Sequence, residues 1–397
     1  MVSVASLFNQ VLKHFPRTEF AALVKKHGAE RHAKGFGCWT QFVAMLFCQL
    51  AHTDSLREIC NGLRCCLGKL VHLGVNRAPL RSTLSYANQH RPAALFEDLF
   101  WTTLGRFRQQ QLLGSRPTRF RFKNKLLSLD STTISLCLSL FPWAGFKTTK
   151  GGVKAHVLLD HDDYMPRFVL LTTAKAADVR IARQVPIPSA SIVVCDRAYM
   201  DFARFADWNA QGVFFICRSP FYPLYRVLWR REVRGSIVAD EVVQFTGRYS
   251  SRYPQCMRRI VIDIDGNESL ILLTNHMDFA ASTIGRIYKE RWQIEVFFKT
   301  LKQNLKIKTF VGTTENALRI QIWTALIAML LLKWLHHLSK ARWSLANLAS
   351  MLRLNLFTYR DLLSWLDNPF GTPPLFPQPE QLLLQINRFG QHSLPET

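Results

Sequence analysis

Between residues 126 and 217, short apolar runs alternate with helical segments in an order that few folds accommodate. LLSLD (126–130) is an apolar run ending on Asp130, and STTISL carries it on. VKAHVLLD (153–160) partly alternates, with Val153, Ala155, Val157 and Leu159 on one side, and FVLLTT follows Pro166 as a third strand. Residues 178–184 read as a helix, SIVVC (191–195) as a fourth strand ending at Asp196, 201–211 as a second helix and 213–217 as a fifth strand. Strand, strand, strand, helix, strand, helix, strand is the grammar of a mixed α/β sheet. Two of these strands deliver an aspartate at the C-terminal end, in DST and DRAY. Ligands and metals collect at such strand ends, although a lone aspartate there often only caps the next helix.

A third carboxylate comes from the stretch 284–308, IGRIYKERWQIEVFFKTLKQNLKIK. It has no proline, one early glycine and many strong helix formers, so a single helix is expected. At about 100° per residue, Tyr288, Arg291, Glu295 and Lys302 share one narrow face. Ile287, Ile294, Phe297, Phe298, Leu301 and Leu305 gather on a neighbouring arc that would dock on a core. The polar face has two readings. It is an exposed surface with ordinary i,i+4 charge pairs, or Glu295 helps hold a divalent metal while Arg291 and Lys302 grip phosphates beside it.

Charge bears on that choice. The 397 residues carry a formal charge of +23, and the pI is near 10.0. A polyanionic partner is implied, nucleic acid before membrane. Residues 1–125 hold 19 Lys and Arg against 6 Asp and Glu, a net of +13. The first 75 residues read as a compact helical module, with Phe8, Val11, Leu12 and Phe15 at helical spacing and WTQFVAMLFCQLA as a buried helix. Asp54 or Ser55 is placed to cap the next helix, and Glu58 completes a capping box with Ser55. Such a module suits DNA recognition, or else protein interaction with incidental charge. Residues 76–125 form a basic helical linker ending in RPTRFRFKNK, a solvated connection or a phosphate-tracking strip.

Residues 219–275 interrupt the α/β order with a strand-rich insertion. Within 218–260 there are 9 cations against 3 acids, net +6, and Trp229 among arginines suits base stacking as well as half-burial. IDIDGNE resembles the start of a calcium loop but sits in a hairpin turning at Asp265-Gly266-Asn267. Residues 315–338 form an apolar core helix whose most apolar part, 322–332, is too short to cross a bilayer. Two shorter helices and a proline-rich tail occupy 341–397. The N-terminus lacks a secretory pattern. The nine cysteines show no CxxC pair and read as reduced core thiols of a cytoplasmic chain.

The spacing Tyr288-x2-Arg291-x3-Glu295-x6-Lys302, with Asp130 in DST and Asp196 in DRAY, resembles the signature of IS4-type insertion-sequence transposases. The front end, with GCWTQFVAML, DSLREI and RSTLSYANQHRP, is similar to the helical domain that precedes the catalytic core in one subgroup. Ala198 stands where that family more usually has glycine. The resemblance implies a ribonuclease-H-like core (126–340) with a β-rich insertion, behind an all-helical DNA-binding domain. It implies that Asp130, Asp196 and Glu295 hold two Mg2+ or Mn2+ ions for phosphoryl transfer. Tyr288, Arg291 and Lys302 would then contact the transposon ends, with Lys154 and His156 reaching the same DNA. The partners implied are double-stranded DNA, as terminal inverted repeats and target, and a second copy of the chain in a synaptic dimer working at the nucleoid. Three rivals remain: a DNA-binding protein that has lost catalysis, a plain nuclease on this fold, and a tyrosine recombinase using Tyr288.

Overall fold

The computed structural model describes residues 5–371 and 373, apart from 32, 67, 115–119, 148–149, 220–223, 265–267, 308 and 372. Six helices come first: α1 (Leu7–Leu12), α2 (Arg17–Lys26), α3 (Cys38–Ala51), α4 (Leu56–Arg64), α5 (Arg81–His90) and α6 (Ala94–Gln109). The front is helical for the reasons the sequence suggested. α3 is apolar almost all round and buried along nearly its whole length. Ser55 caps α4 by accepting from the Glu58 amide at 3.2 Å, and the Glu58 carboxylate returns to the Asp54 amide at 2.8 Å.

The strands follow: β1 (Leu126–Leu136), β2 (Gly145–Lys147), β3 (Lys150–Asp160) and β4 (Pro166–Thr173). Helix α7 (Asp178–Ala182), β5 (Ile192–Cys195), α8 (Phe202–Ala210) and β6 (Phe214–Arg218) come next. Then come β7 (Tyr225–Arg230), β8 (Ile237–Phe245), β9 (Met257–Ile264) and β10 (Glu268–Thr274). All ten belong to one sheet, ordered β2-β3-β1-β5-β6-β10-β9-β8-β7, with β4 on the far side of β3. The β1–β5 and β5–β6 pairs are parallel; every other pair is antiparallel. The strand-rich stretch after β6 thus extends the central sheet through β10. The turn at 265–267 lies outside the described residues, but β9 and β10 on either side of it pair antiparallel. Some of the cations in this stretch are internal. Arg258 is buried on Asp240 at 2.6 Å, and Arg259 meets Glu241 at 3.0 Å.

The central strands are covered on both faces, which explains why they read as apolar runs. Val193 and Cys195 of β5 point into a core with α8, while Ile192 and Val194 point into one with α9 (Ala281–Lys289). The stretch expected to be one helix is two. α9 ends at Lys289, and α10 (Trp292–Asn304) begins after a tightened step in which Arg291 donates to the Tyr288 carbonyl at 3.0 Å. The halves dock on different partners, α9 on β6 and β8, α10 on β1 and α11 (Glu315–Leu338), so the axis must bend between them.

α11 is the axis of the helical part. It packs on α3, α5 and α6 in front, and on α12 (Leu345–Asn355) and α13 (Leu362–Asp367) behind. Among the described helices it alone has the length and composition to cross a membrane, yet 89% of its apolar window lies buried inside the protein. The front helices therefore share one continuous core with the helices after the sheet. Two fully buried glutamines stitch the join. Gln49 of α3 accepts from the Lys306 amide at 2.8 Å, and Gln321 of α11 donates to the Lys306 and Thr309 carbonyls at 2.7 and 2.8 Å. All nine cysteines are free; Cys65, Cys137 and Cys256 are exposed, unlike the core positions expected for them.

Candidate active site

β1 and β5 run parallel through four residue pairs, the last being Leu129 with Cys195. The next residue on each strand is an aspartate, Asp130 on one and Asp196 on the other. The expectation that a strand ends at Asp130 is corrected here. β1 runs on to Leu136, paired with β3, whereas β5 stops and the chain turns away through Arg197–Tyr199. Asp130 thus sits mid-strand, where the sheet loses its parallel neighbour. Both carboxylates are held in the same way: Asp130 accepts from the Ser131 amide and Asp196 from the Arg197 amide, each at 2.7 Å.

α10 brings the third carboxylate to this edge. Glu295 lies in its first turn and accepts from Arg291 Nη2 at 2.6 Å, while Nη1 of the same guanidinium donates to Asp130 at 3.2 Å. Burial pushes the Asp130 carboxyl up to about 6; Asp196 and Glu295 push it the same way, against the Ser131 amide and Arg291. Asp130 therefore lies within electrostatic reach of both Asp196 and Glu295, with Arg291 bound to two of the three. Tyr288, at the end of α9, is buried with the Arg291 guanidinium 5.8 Å from its ring centre. Its phenol is pushed up to about 12, first by burial and further by Asp196, so it is a neutral donor at ordinary pH. Lys302, two turns along α10, donates to the Thr133 carbonyl of β1 at 3.0 Å. Six of the residues singled out in the sequence thus meet at one sheet edge.

The other three are not part of this group. Lys154 and His156 are on β3, where Lys154 donates to Asp178 at 3.1 Å and to the Ala176 carbonyl at 3.4 Å. His156 has no exposed surface, with Nε2 3.0 Å from the Thr172 hydroxyl, and so offers DNA no contact as it stands. Trp229 is 53% exposed on β7, the last strand of the sheet and five strands beyond β5. Two residues of this neighbourhood escaped the sequence reading. Trp292 follows Arg291 and is 59% exposed; at about 40° on the same wheel it flanks the polar face, a signal that was there to be used. Asp178 gave no such sign, because its partners come from strands far apart in sequence.

Two aspartates and a glutamate offer the hard oxygen donors that Mg2+ and Mn2+ take. Among the described residues, however, no three His, Cys, Asp or Glu side chains close around one point. The Arg291 guanidinium occupies the space between Asp130 and Glu295.

Residues 121–331 match the family model described as the transposase DDE domain, and residues 3–76 match a domain of unknown function, DUF4372. A Sinorhizobium fredii protein named as a transposase is 29% identical over 306 residues, which is 76% of this chain and 83% of its own length. A Geobacillus stearothermophilus protein named as a transposase for insertion sequence element IS5377 is 32% identical, covering 57% of this chain and 61% of its own. A Synechocystis protein named as a transposase for element IS4SA is 25% identical, covering 64% and 71%.

Proposed function

The chain belongs to the transposases with a DDE domain, and from that premise we propose that it cuts and rejoins DNA at the ends of an insertion sequence, with Asp130, Asp196 and Glu295 as its metal-holding acids. The observation that carries this reading is the convergence of the three carboxylates where β1 outlasts β5, with Asp130 pushed up to about 6 in part by the other two. The mixed sheet, parallel at its centre, is read as a ribonuclease-H-like core.

Asp130, Asp196 and Glu295 would hold Mg2+ or Mn2+, which would supply Lewis acidity for an in-line phosphoryl displacement. The chain's own residues do the rest. Arg291 carries a planar fork of donors that suits a phosphate as well as it suits the carboxylates it now bridges. When DNA arrives, a phosphate takes over the guanidinium and frees Asp130 and Glu295. Tyr288 stays protonated, its phenol pushed up by burial, and donates a hydrogen bond to the same end of the DNA. Lys302 steadies α10 against β1 and adds positive charge beside the scissile phosphate. The helical front domain grips the terminal repeats, and Trp229 adds a stacking surface for bases or backbone away from the acids. Two copies of the chain pair two ends before joining.

The test is strand cleavage on a duplex carrying the element's own terminal repeat, comparing wild type with Glu295→Ala in Mg2+ and in EDTA. Metal-dependent nicking at the repeat end, lost in the variant, is the expected result. Binding without cleavage by either protein would identify a DNA-binding protein that has lost catalysis, and nicking that survives in Glu295→Ala would remove Glu295 from the metal-holding set.

A further inference from the structure

We infer that Asp178 is a positioning residue that fixes the two active-site aspartates relative to one another, an assignment that rests on the reading of Asp130 and Asp196 as metal-holding residues. Its carboxylate ties β1 to β3, and the helix it begins reaches the turn at Asp196. From β1, the Ser131 hydroxyl donates to Oδ1 at 2.7 Å, and the amide of the same Ser131 donates to Asp130 at 2.7 Å. One residue thereby connects the two carboxylates. From β3, Lys154 Nζ donates to Oδ2 at 3.1 Å, and His156 Nδ1 lies 3.3 Å from Oδ1. His156 is in turn tied to Thr172 of β4. On its other side α7, which Asp178 begins, packs against the turn Arg197–Tyr199, the turn that Asp196 caps.

A bland reading would make this an ion pair kept for stability. Several features argue against it. A half-buried ion pair gains little over an apolar pair of the same size, yet here three side chains from two strands are spent on one carboxylate. Lys154 and His156, the basic side chains of β3 nearest Asp130 in register, are turned to Asp178 and leave Asp130 to Arg291. His156, Ser131 and Lys154 hold the Asp178 carboxyl well below the usual range although burial works the other way. It therefore stays an anion that can anchor donors at any working pH. The outcome is a strut from the Asp130 strand to the Asp196 turn, with nothing in it that would itself touch DNA or metal. Metal affinity is sensitive to such struts: loss of one typically costs 10–100-fold.

The experiment measures Mn2+ binding to the DNA-free full-length protein by electron paramagnetic resonance. Wild type is compared with Asp178→Asn, Ser131→Ala and, as the reference for the site itself, Asp130→Ala. Terminal-repeat binding in EDTA and the melting temperature are followed alongside. We expect Asp178→Asn and Ser131→Ala each to weaken Mn2+ binding about tenfold while DNA binding in EDTA is unchanged. Ser131→Ala removes only the hydroxyl link, so it answers the question even if Asp178→Asn folds poorly. A lower melting temperature with unaltered Mn2+ affinity in both variants, while Asp130→Ala loses the ion, would overturn the positioning role and leave the site intact. Unaltered Mn2+ affinity in Asp130→Ala would overturn both.

Discussion

Asp130 and Asp196 stand side by side, each one residue past Leu129 and Cys195, the last parallel pair between β1 and β5. Adjacent strands run about 4.8 Å apart, so this register sets two carboxylates next to each other at a half-buried edge. The arrangement is poor for stability and good for gripping cations. Neutralising Asp130 should therefore relieve the metal-free fold even though it costs the Arg291 contact. Asp130→Asn is expected to raise the unfolding free energy at pH 7 by about 1 kcal/mol, less than the full shift to about 6 implies because that contact is lost. Urea unfolding in EDTA reads the gain, and cleavage of a terminal-repeat duplex reads the accompanying loss of activity. A large loss of stability would mean that Asp130 is held for structure.

Arg291 is bound to both Asp130 and Glu295, and a divalent ion must compete with it for those oxygens. Arg291→Ala should thus tighten Mn2+ binding to the DNA-free protein several-fold while lowering cleavage about 100-fold, since the phosphate clamp goes with it. Arg291→Lys should recover little of the cleavage, because a point charge cannot bridge two groups as a planar fork does. Calorimetric titration with Mn2+ and a cleavage assay separate the two effects. Weaker Mn2+ binding in Arg291→Ala would show that the guanidinium organises the acids instead of competing for them.

What could be read from the sequence was mostly local. The core helix 315–338, the Ser55–Glu58 cap and most of the succession of strands and helices from 126 to 217 follow from patterning over a few residues and appear where that patterning put them, although the short strand β2 was not among them. Errors arose where a remote neighbour decides. Asp130 lies mid-strand because β3 outlasts β5 as a partner of β1, which no window around Asp130 reveals. The break at Glu290–Arg291 comes from two helical halves docking on different elements, with no proline or glycine to mark it. His156 alternates correctly on its strand but faces Asp178, a residue on the far side of a hairpin. At the site, the spacing from Tyr288 to Lys302 brought four residues together on a helical face; their meeting with Asp130 and Asp196 depended on sheet register.

The Ser55 cap offers a check on the front domain. Its hydroxyl satisfies the Glu58 amide at an otherwise open helix end, so Ser55→Ala should lower stability by about 1 kcal/mol. Because the front helices share one core with α11, the loss should appear in the single main unfolding transition and not in a separate early one. Denaturant unfolding followed by tryptophan fluorescence distinguishes the two. An early transition affecting only the front would mean that the helical module folds independently of the sheet.

His161 supplies the pH dependence. It opens the turn between β3 and β4, buried, with Nε2 2.7 Å from the fully buried Ser128 hydroxyl. Burial lowers its pKa from 6.5 to about 4, overriding Asp160 and Asp162, which act to raise it. The ring is therefore neutral in the folded state, hydrogen-bonded to the Ser128 hydroxyl, and the unfolded chain binds a proton more readily. The sign follows: this contribution is fully present above pH 6.5 and is lost as the pH falls towards 4, amounting to on the order of 3 kcal/mol across that window. His14, lowered to about 4 by burial and then by Arg106, adds in the same direction. Urea midpoints at pH 7.0 and about 4.5 should drop clearly in the wild type. His161→Gln keeps an acceptor for Ser128 but cannot titrate, so its midpoint should drop less. Equal slopes in the two proteins would mean that His161 is already protonated in the folded chain, with Ser128 as the acceptor.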